Sequence, residues 1–512
     1  MTLSVASVLA ESAIRRPDHP AVIFADRRIT YEELWRRARQ CSEFLRRSGI
    51  EAGDRVAVLA ANSPEFPVAY FGALAAGATV VPIGPDSRTP EIRHILTDSE
   101  AAMLLCDADL RGVADTAAAT TGTAVVTEFL DAGPGPADCV PRAPGDIALM
   151  LYTSGTTGRP KGVMLSNLNV TMNLTVSMLS PFDFTADDVL LQPLSLAHTF
   201  GQICGMATCF RAGATMVLMP KFGAAAALAL ARQHRCTTFM GVPSMYQAML
   251  TAAESDGGAP QFDRVFSGGS ALPPPVLAAV RRTFGCEVYE GYGLTECSPV
   301  VAYNQKAFPV RAGTVGRPIW GVQVAVAAAE VAQRVELLPP GRIGEIVVRG
   351  HNVMAGYLNR PEATAEVLVD GWLRTGDIGR IDDGYLTLID RKKDVVLRGG
   401  YTVYPREIEE VLLDHPDVAQ VAVIGVPDDF LGQEVCAVVI AAPGAAAGPR
   451  LGADIVAWSR NRLAQHKFPR RVVFVDSYPL GPSGKILKRE LAAALGADGA
   501  SQPTGLASDR SR

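Results

Sequence analysis

Short apolar runs alternate with longer amphipathic stretches through most of this 512-residue chain, and this alternation constrains the fold more than any other feature. The runs RVAVLA (55–60), TVVPI (79–83) and ATMVLM (214–219) have the length and composition of buried strands. The stretch EELWRRARQCSEFLRR (32–47) has the pattern of a surface helix. Because short strands separated by helices are typical of layers built on a mostly parallel sheet, the sequence predicts an α/β fold.

The character of the chain changes near Asp390. Two turn-rich pieces, DGWLRTGD (370–377) and DDGYLTLIDRKKD (382–394), lead to a shorter segment with its own strand and helix signals. We therefore predict a large N-terminal domain of residues 1–390 and a small α+β C-terminal domain of residues 391–512. A tail rich in Gly, Ala and Ser is expected to be disordered from about residue 496.

Composition excludes several classes of protein. A hydrophobic content of 48% over this length allows two or more cores. The net charge of −5 gives no basic surplus, so nucleic acid is not an expected partner. Nine cysteines without a C-x-x-C pair favour neither a disulfide framework nor a structural zinc, and no secretory pattern is seen at the start, so a cytoplasmic location is expected. The longest uncharged stretch, residues 66–85, is broken by Pro and Gly and predicts a helix and a buried strand rather than a membrane span.

A polar loop follows one predicted strand directly. Residues 153–162 read TSGTTGRPKG and come after the apolar run IALMLY. Backbone N–H groups and hydroxyls in such a loop suit an anion, and Lys161 adds a point charge, so phosphate is the favoured guest. No Ser or Thr follows Lys161 to hold magnesium, so the loop is not a Walker loop, and it does not match a Rossmann fingerprint. For this loop alone, a flexible polar turn is an equal alternative.

Five segments together resemble the adenylate-forming superfamily, and within it the bacterial fatty acyl-CoA synthetases. In the family's order they are TSGTTGRPKG (153–162), YGLTE (292–296), GWLRTGD (371–377), DRKKDVVLRGGYTVYPREIEE (390–410) and PSGK (482–485). The resemblance implies a large N-terminal domain of stacked, mostly parallel sheets with helices plus a small distorted β-barrel. It also implies a small, mobile α+β C-terminal domain that acts as a lid.

The resemblance implies a ligase reaction in two steps. A free carboxylate is too poor an acyl donor for a thiol, so it first attacks the α-phosphorus of Mg·ATP, expels pyrophosphate and becomes an acyl adenylate. A thiol then displaces AMP. The implied cofactors and partners are ATP, Mg²⁺ and coenzyme A, or the phosphopantetheine of an acyl carrier protein. Such a transfer asks the protein mainly for positioning and for cations around the phosphates.

Matching positions give the implied nucleotide site. The residues placed around the β- and γ-phosphates are Thr153, Ser154, Gly155, Thr156, Thr157 and Lys161. Those placed on the rest of the nucleotide are Gly269, Tyr292 at the adenine, Thr295 at the α-phosphate, Glu296 as the magnesium ligand, and Asp377 and Arg391 at the ribose. Each has an ordinary alternative as a turn, a turn cap or a solvated charge, and that alternative is kept for Lys392.

The lid carries its own implied residues. Lys485 matches the catalytic lysine that reaches the carboxylate and the α-phosphate, where an ammonium offsets repulsion between two anions. Gly481 stands where the family usually has Thr, which leaves the geometry of that loop open. Lys393 matches the hinge about which the lid rotates. Rotation would bring Arg398, Gly399 and Gly400 to a pantetheine tunnel, although the two glycines also suit a simple hairpin turn.

The implied acid pocket is lined by small or apolar residues. They are Met240, Gly241, Val242, Met245, Tyr246, Gly269, Val300 and Val301. Such walls favour an alkyl or aryl tail and do not suit a charged one. His198 matches a histidine found near the reacting carboxylate, and we expect it to line the pocket rather than to act as an acid or base. Ala197 replaces the usual Phe before this histidine, and the segment LAHTFG contains no acidic residue, which disfavours an α-amino acid.

The acceptor thiol and the acid leave alternatives open. No obvious insertion interrupts residues 310–350, which favours CoA with a medium- or long-chain fatty acid. The alternatives are an acyl-AMP ligase that loads a carrier protein and an aryl acid–CoA ligase. Two hypotheses from other classes are a non-catalytic sensor, which the presence of Lys485 and Glu296 disfavours, and a phosphate-releasing NTPase, which would not depend on an acid.

Overall fold

The computed structural model describes residues 3–130, 133, 135, 139–153, 159–255, 258–479 and 486–497. Its chain divides into two compact units. Unit 1 comprises Met1–Pro340, Val347–Thr375 and Ile381–Thr387, and unit 2 comprises Gly341–Ile346, Gly376–Arg380 and Leu388–Arg512. The domain roles and the boundary drawn from the sequence stay predictions.

Strands are spread over the whole described chain. In chain order they are Pro20–Phe24 (β1), Arg27–Thr30 (β2), Arg55–Leu59 (β3), Thr79–Ile83 (β4), Met103–Cys106 (β5), Ala124–Val126 (β6), Ile147–Thr153 (β7), Lys161–Ser166 (β8), Val189–Gln192 (β9), Thr215–Leu218 (β10), Thr238–Gly241 (β11), Arg264–Ser267 (β12), Glu287–Gly293 (β13), Val300–Tyr303 (β14), Arg317–Pro318 (β15), Val322–Ala327 (β16), Gly344–Gly350 (β17), Gly356–Tyr357 (β18), Leu368–Val369 (β19), Trp372–Asp382 (β20), Tyr385–Arg391 (β21), Val396–Arg398 (β22), Tyr401–Val403 (β23), Val418–Asp428 (β24), Gly432–Ala441 (β25) and Arg471–Phe474 (β26).

Helices separate most of the strands. The α-helices are Ser7–Arg15 (α1), Tyr31–Arg47 (α2), Glu65–Ala75 (α3), Thr89–Ser99 (α4), Arg111–Ala118 (α5), Asn167–Leu179 (α6), Thr208–Ala212 (α7), Ala224–His234 (α8), Pro243–Ser255 (α9), Pro274–Phe284 (α10), Pro361–Val367 (α11), Pro405–Leu413 (α12), Pro449–Arg460 (α13) and Lys488–Ala497 (α14). Short 3₁₀ helices cover Ala108–Leu110 and Thr295–Cys297, and a π-helix covers Phe200–Ala207.

Two mostly parallel sheets dominate unit 1. The nine-stranded sheet has the order β15-β14-β13-β12-β11-β9-β10-β1-β2, and its strands from β13 to β1 run parallel. The seven-stranded sheet has the order β18-β8-β7-β4-β3-β5-β6, in which β7 and the strands beyond it are parallel. The predicted α/β class is therefore confirmed. A five-stranded sheet, β16-β17-β20-β19 with β21 beside β20, curls as a half-barrel where the resemblance implied a small distorted barrel.

The prediction that residues 66–85 form a helix and a buried strand is also confirmed. Helix α3 buries almost its whole length and strand β4 is buried throughout, so the long uncharged segment is core. Among the described residues, none of the helices has the length and apolar character needed to cross a bilayer.

Unit 2 is built on the sheet β23-β22-β25-β24, with β26 parallel to β25. Strands β24 and β25 alternate their side chains between two faces, as strands must. Val423 and Val435 pack with α12 and α13 on one face, whereas Ile424 and Val438 pack with Leu491 of α14 on the other. Burial of both faces explains why the segment reads as nearly continuous apolar runs, and it confirms the predicted small α+β fold.

Candidate active site

The phosphate-type loop lies between two strands of the seven-stranded sheet. Strand β7 ends at Thr153 and β8 begins at Lys161, and these two residues pair across the antiparallel ladder. The predicted buried strand before the loop is therefore confirmed. Ser154, Gly155, Thr156 and Thr157 lie outside the described residues, and their contacts with phosphate stay predictions.

The YGLTE segment follows the exit of a strand in the nine-stranded sheet. Strand β13 carries the buried Tyr292 near its end, and a 3₁₀ helix then contains Thr295 and Glu296. This arrangement places both polar residues just beyond the carboxyl end of a parallel strand, where ligands of open α/β sheets usually bind. Their proposed contacts with the α-phosphate and the metal stay predictions.

Tyr357 joins these two motifs. Its hydroxyl donates to Glu296 Oε1 at 3.0 Å, and the ammonium of Lys161 lies 5.1 Å from the centre of its ring. The backbone supports the same connection, because Met354 N donates to Glu296 O at 2.9 Å and Leu358 N donates to Gly162 O at 2.8 Å. The end of the glycine-rich loop and the carboxylate of YGLTE are thus brought to one tyrosine.

The hydroxyl of Tyr357 acts as a donor in this arrangement. Burial and the negative charge of Glu296 raise its pKa well above the usual range, so the phenol keeps its proton at physiological pH. Sequence reasoning missed this residue. In the sequence Tyr357 is one aromatic residue within NVMAGYL (352–358). Such a residue could equally belong to the core or to a site.

The carboxylate of Glu296 suits magnesium bound together with a nucleotide. Among the described residues, no three His, Cys, Asp or Glu side chains converge on one point, so this part of the chain contains no complete protein cage for a metal. Mg²⁺ usually takes one or two carboxylates together with phosphate oxygens and water. A single carboxylate, with the ammonium of Lys161 on the same tyrosine, fits that pattern.

Three segments meet where the acid pocket is predicted. A methyl group added at Gly269 would lie 3.4 Å from Val242 Cγ1, and one added at Gly268 would lie 3.3 Å from Phe200 Cζ. Gly269 also has φ +83°, a conformation that side chains rarely adopt. The loops after β11 and β12 therefore face each other and the π-helix, with glycines at the points of closest approach.

Other predicted pocket residues are part of the hydrophobic core. Tyr246 is fully buried, and its hydroxyl donates to Phe266 O at 2.6 Å while its ring packs edge-on against Phe239. Met245 packs on the same core cluster. Met240, Gly241, Val300 and Val301 are buried at strand positions. Their roles in binding an acid stay predictions.

His198 lies in the loop that precedes the π-helix. Its backbone N–H donates to Ser195 O at 3.2 Å, and its carbonyl accepts from Gln202 N at 2.8 Å. Burial lowers the pKa of His198, with a smaller opposing effect from Glu91. The imidazole is therefore neutral near pH 7, which agrees with a lining role and leaves the role itself a prediction.

Gly201 fixes the path of this loop. A methyl group at this position would overlap the carbonyl oxygen of Ser195. We expect Gly201→Ala to reduce the free energy of unfolding by about 1–3 kcal/mol, because backbone rather than a flexible side chain must move. Gly112→Ala is the control, since this glycine of α5 has open space and alanine favours a helix by up to about 1 kcal/mol. Urea unfolding measures both, and equal stability of the two variants would contradict this interpretation.

The predicted ribose residues meet in unit 2. Arg391 Nε lies 3.2 Å from Asp377 Oδ1. Glu345, which sequence reasoning missed, is buried and accepts from Gly376 N at 3.2 Å, and it pairs with Lys392 at 3.3 Å. Lys392 is 44% exposed, as expected for a solvated charge, and it also pairs with the buried Glu345. Contacts of Asp377 and Arg391 with ribose stay predictions.

Gly399 and Gly400 of unit 2 form a tight hairpin turn between β22 and β23. Gly399 and Gly400 have φ of +55° and +82°, as a two-residue turn of this kind requires. Arg398 before them is buried and pairs with Glu434 at 2.6 Å and 2.8 Å. The remaining guanidinium nitrogen of Arg398, Nη1, donates to the backbone carbonyls of Gln465 and His466. The tunnel roles of these residues stay predictions.

The structure describes only some of the other residues that were predicted to act in the C-terminal domain. Lys393 lies in the turn between β21 and β22, and its role as a hinge stays a prediction. Gly481 and Lys485 lie outside the described residues. Just beyond them, Lys488 at the start of α14 pairs with Glu409 at 2.6 Å. Burial alone would lower the pKa of Lys488, but Glu409 and Asp390 raise it, so this lysine stays charged.

Comparison with known proteins agrees with this architecture. Residues 9–358 match the family described as AMP-binding enzyme, and residues 407–485 match the AMP-binding enzyme C-terminal domain. A feruloyl-CoA synthase of Amycolatopsis sp is 38% identical over 94% of this chain and 96% of its own length. Fatty acid–[acyl-carrier-protein] ligase ScoC of Streptomyces coeruleorubidus is 36% identical over 95% of this chain and 96% of its own. The crystal structure of ATP-bound MatB from Rhodopseudomonas palustris has a TM-score of 0.88 at 33% identity, covering 96% of this chain and 99% of that one.

The two mostly parallel sheets, the half-barrel and the α+β unit, with Lys161 and Glu296 both in contact with Tyr357, define an adenylate-forming type of protein. The chain belongs to the AMP-binding enzyme family.

Proposed function

We propose that this protein joins an apolar carboxylic acid to a thiol at the expense of ATP. The acid first becomes an acyl adenylate with release of pyrophosphate, and the thiol of coenzyme A then displaces AMP. A medium- or long-chain fatty acid is the first candidate for the acid. The single observation that carries the proposal is the arrangement in which Lys161 and Glu296 both contact Tyr357.

In this mechanism the residues supply charge and orientation. Lys161 places an ammonium where the β- and γ-phosphates would lie, and it stabilises the pyrophosphate as it leaves. Glu296 would hold magnesium, which neutralises charge on the same phosphates when bound. Thr295 would donate to the α-phosphate, and Tyr292 would pack against the adenine. In unit 2, the carboxylate of Asp377 would accept from the ribose hydroxyls.

The predicted pocket leaves two candidates for the apolar acid, an alkyl acid and an aryl acid. The loops that contain Val242 and Gly269 face each other, and residues 241–242 and 268–273 carry no charged side chain. A site lined by these residues would suit either an alkyl chain or an aryl ring. The 38% identity to a feruloyl-CoA synthase favours an aryl acid as the second candidate. The similarity to the carrier-protein ligase ScoC favours a phosphopantetheine arm as the second candidate for the acceptor.

A panel of acids tests both choices. If an alkyl chain is bound by desolvation, each added methylene contributes about 0.8 kcal/mol, and kcat/KM should rise about four-fold per carbon until the pocket is filled. Acid-dependent pyrophosphate release is measured with straight-chain acids and with ferulate, and the thioester is then sought with CoA and with a pantetheinylated carrier protein.

Each outcome of the panel decides between the candidates. A maximum within the fatty acids together with acyl-CoA supports the first candidate. If pyrophosphate release is faster with ferulate than with every fatty acid, the substrate is an aryl acid. If the thioester forms only on the carrier protein, the carrier protein and not CoA is the acceptor. Phosphate release that does not depend on any acid would contradict the whole proposal.

A further inference from the structure

We infer that Tyr357 is a positioning residue that holds the carboxylate of Glu296 and the ammonium of Lys161 in one arrangement and thereby sets the affinity for the metal–nucleotide complex. The inference rests on the proposed function and adds a residue to its site. Tyr357 itself does not touch the reacting atoms in this account.

The Tyr357 side chain contacts Glu296 through its hydroxyl and Lys161 through its ring. Its hydroxyl makes a charge-assisted hydrogen bond of 3.0 Å with Glu296 Oε1, which fixes the orientation of the carboxylate. Its ring attracts the Lys161 ammonium electrostatically at 5.1 Å, which leaves the three N–H donors of the lysine available for phosphate oxygens. The Tyr357 side chain therefore orients both the carboxylate that would bind the metal and the ammonium that would bind phosphate.

The backbone fixes Tyr357 independently of either partner. Residues of β18 pair with β8, so that Tyr357 lies opposite Val163, and Tyr357 N donates to Thr364 Oγ1 at 2.9 Å. On the other side, Met354 N donates to the backbone carbonyl of Glu296 at 2.9 Å. Because the segment is held on both sides, the tyrosine can position the two groups before the nucleotide arrives, as preorganised sites require.

Two substitutions separate the two contacts. Tyr357→Phe removes the hydroxyl and keeps the ring, whereas Tyr357→Leu removes both. Binding is measured without turnover, by calorimetry for ATP in the presence of EDTA and by electron paramagnetic resonance for Mn²⁺ in the presence of a non-hydrolysable ATP analogue. Tyr385→Phe is the matched control, because this buried hydroxyl also makes one hydrogen bond, to Pro309 O at 2.8 Å.

The expected results are distinct for each variant. Tyr357→Phe should weaken Mn²⁺ binding roughly ten-fold, because it removes a hydrogen bond to a charged group, and should change metal-free ATP binding less than two-fold. Tyr357→Leu should in addition weaken metal-free ATP binding by about two- to five-fold, since the ring no longer orients Lys161. Tyr385→Phe should match the wild type in both measurements.

Two results would overturn the inference. One is Mn²⁺ binding by Tyr357→Phe equal to that of Tyr385→Phe, and the other is a parallel loss of metal-free ATP binding in Tyr357→Phe, which would indicate a general structural effect. The inference and the proposed function can fail separately. If the wild type binds Mn²⁺ with the nucleotide and releases pyrophosphate with an acid, but Tyr357→Phe is unchanged, only the inference fails.

Discussion

Replacing Lys485 with alanine is expected to reduce acyl-adenylate formation by about 10²- to 10³-fold, the loss typical for removal of one preorganised electrostatic stabiliser. The carboxylate and the α-phosphate both carry negative charge, so their approach is opposed until a cation lies between them. The resemblance of PSGK (482–485) to the family's catalytic loop gives this role to Lys485. The measurement is a single-turnover assay of acyl adenylate with ATP, magnesium and the best acid.

The second half-reaction separates this role from a loss of folding. Thioester formation from synthetic acyl adenylate and CoA should be nearly unchanged in Lys485→Ala, because the α-phosphate is already esterified to the acid. Lys306→Ala is the control for removal of a lysine, since Lys306 is 75% exposed and pairs only at the surface with Asp183. Equal losses in both half-reactions, or no loss of adenylation, would contradict the assigned role.

Arg398→Met is expected to reduce the free energy of unfolding of unit 2 by about 3–5 kcal/mol, because it leaves the Glu434 carboxylate buried without its cation. The two side chains are only 9% and 11% exposed. The double variant Arg398→Met, Glu434→Leu should recover most of the lost free energy of unfolding. An apolar pair of similar volume leaves no buried charge without its partner. Denaturant unfolding followed by the fluorescence of Trp458, in a background in which the other three tryptophans are replaced by phenylalanine, measures the change in unit 2.

Controls decide whether Arg398 also acts in thioester formation. Arg111→Met removes an exposed pair with Asp115 in unit 1 and should have no measurable effect. A stable double variant that still forms the thioester would make Arg398 a structural residue, whereas a stable double variant that forms only acyl adenylate would support the tunnel role implied by the resemblance. Full stability of Arg398→Met alone would contradict the buried-pair interpretation.

The fold was predictable because its signals are local. Strand length, β-branched content and the alternation with helices placed the run IALMLY in β7 and residues 32–47 in α2, which begins one residue earlier at Tyr31. The helix α2 is capped by Thr30, whose side chain accepts from Glu33 N. The order of the motifs similarly indicated the family before any geometry was known.

Contacts between distant segments could not be predicted in this way. Tyr357 reaches Glu296 across 61 positions because β18 pairs with β8, and no local pattern records that pairing. Arg398 follows the same principle, since the register that places it opposite Gly432 brings Glu434 within reach. Arginine side chains are mostly exposed, so the burial of Arg398 could not be predicted without knowledge of the partner strand.

The acid pocket shows a second limit of sequence reasoning. Tyr246 and Val242 are both apolar enough to line a pocket. In the structure Tyr246 of α9 packs in the core, where its hydroxyl donates to the carbonyl of Phe266, and its role in acid binding stays a prediction. Whether a side chain of a helix faces a pocket or a core depends on what packs against that helix. Hydrophobic composition alone does not contain this information.

Transfer of oxygen from the acid to AMP tests the central claim most directly. In an acyl adenylate, a carboxylate oxygen bridges carbon and phosphorus, and attack of the thiol at the carbonyl carbon leaves that oxygen on AMP. With an acid labelled by ¹⁸O in both carboxylate positions, we predict AMP that carries one ¹⁸O atom and pyrophosphate that carries none. Label found in inorganic phosphate or pyrophosphate, or unlabelled AMP formed together with the thioester, would contradict the account.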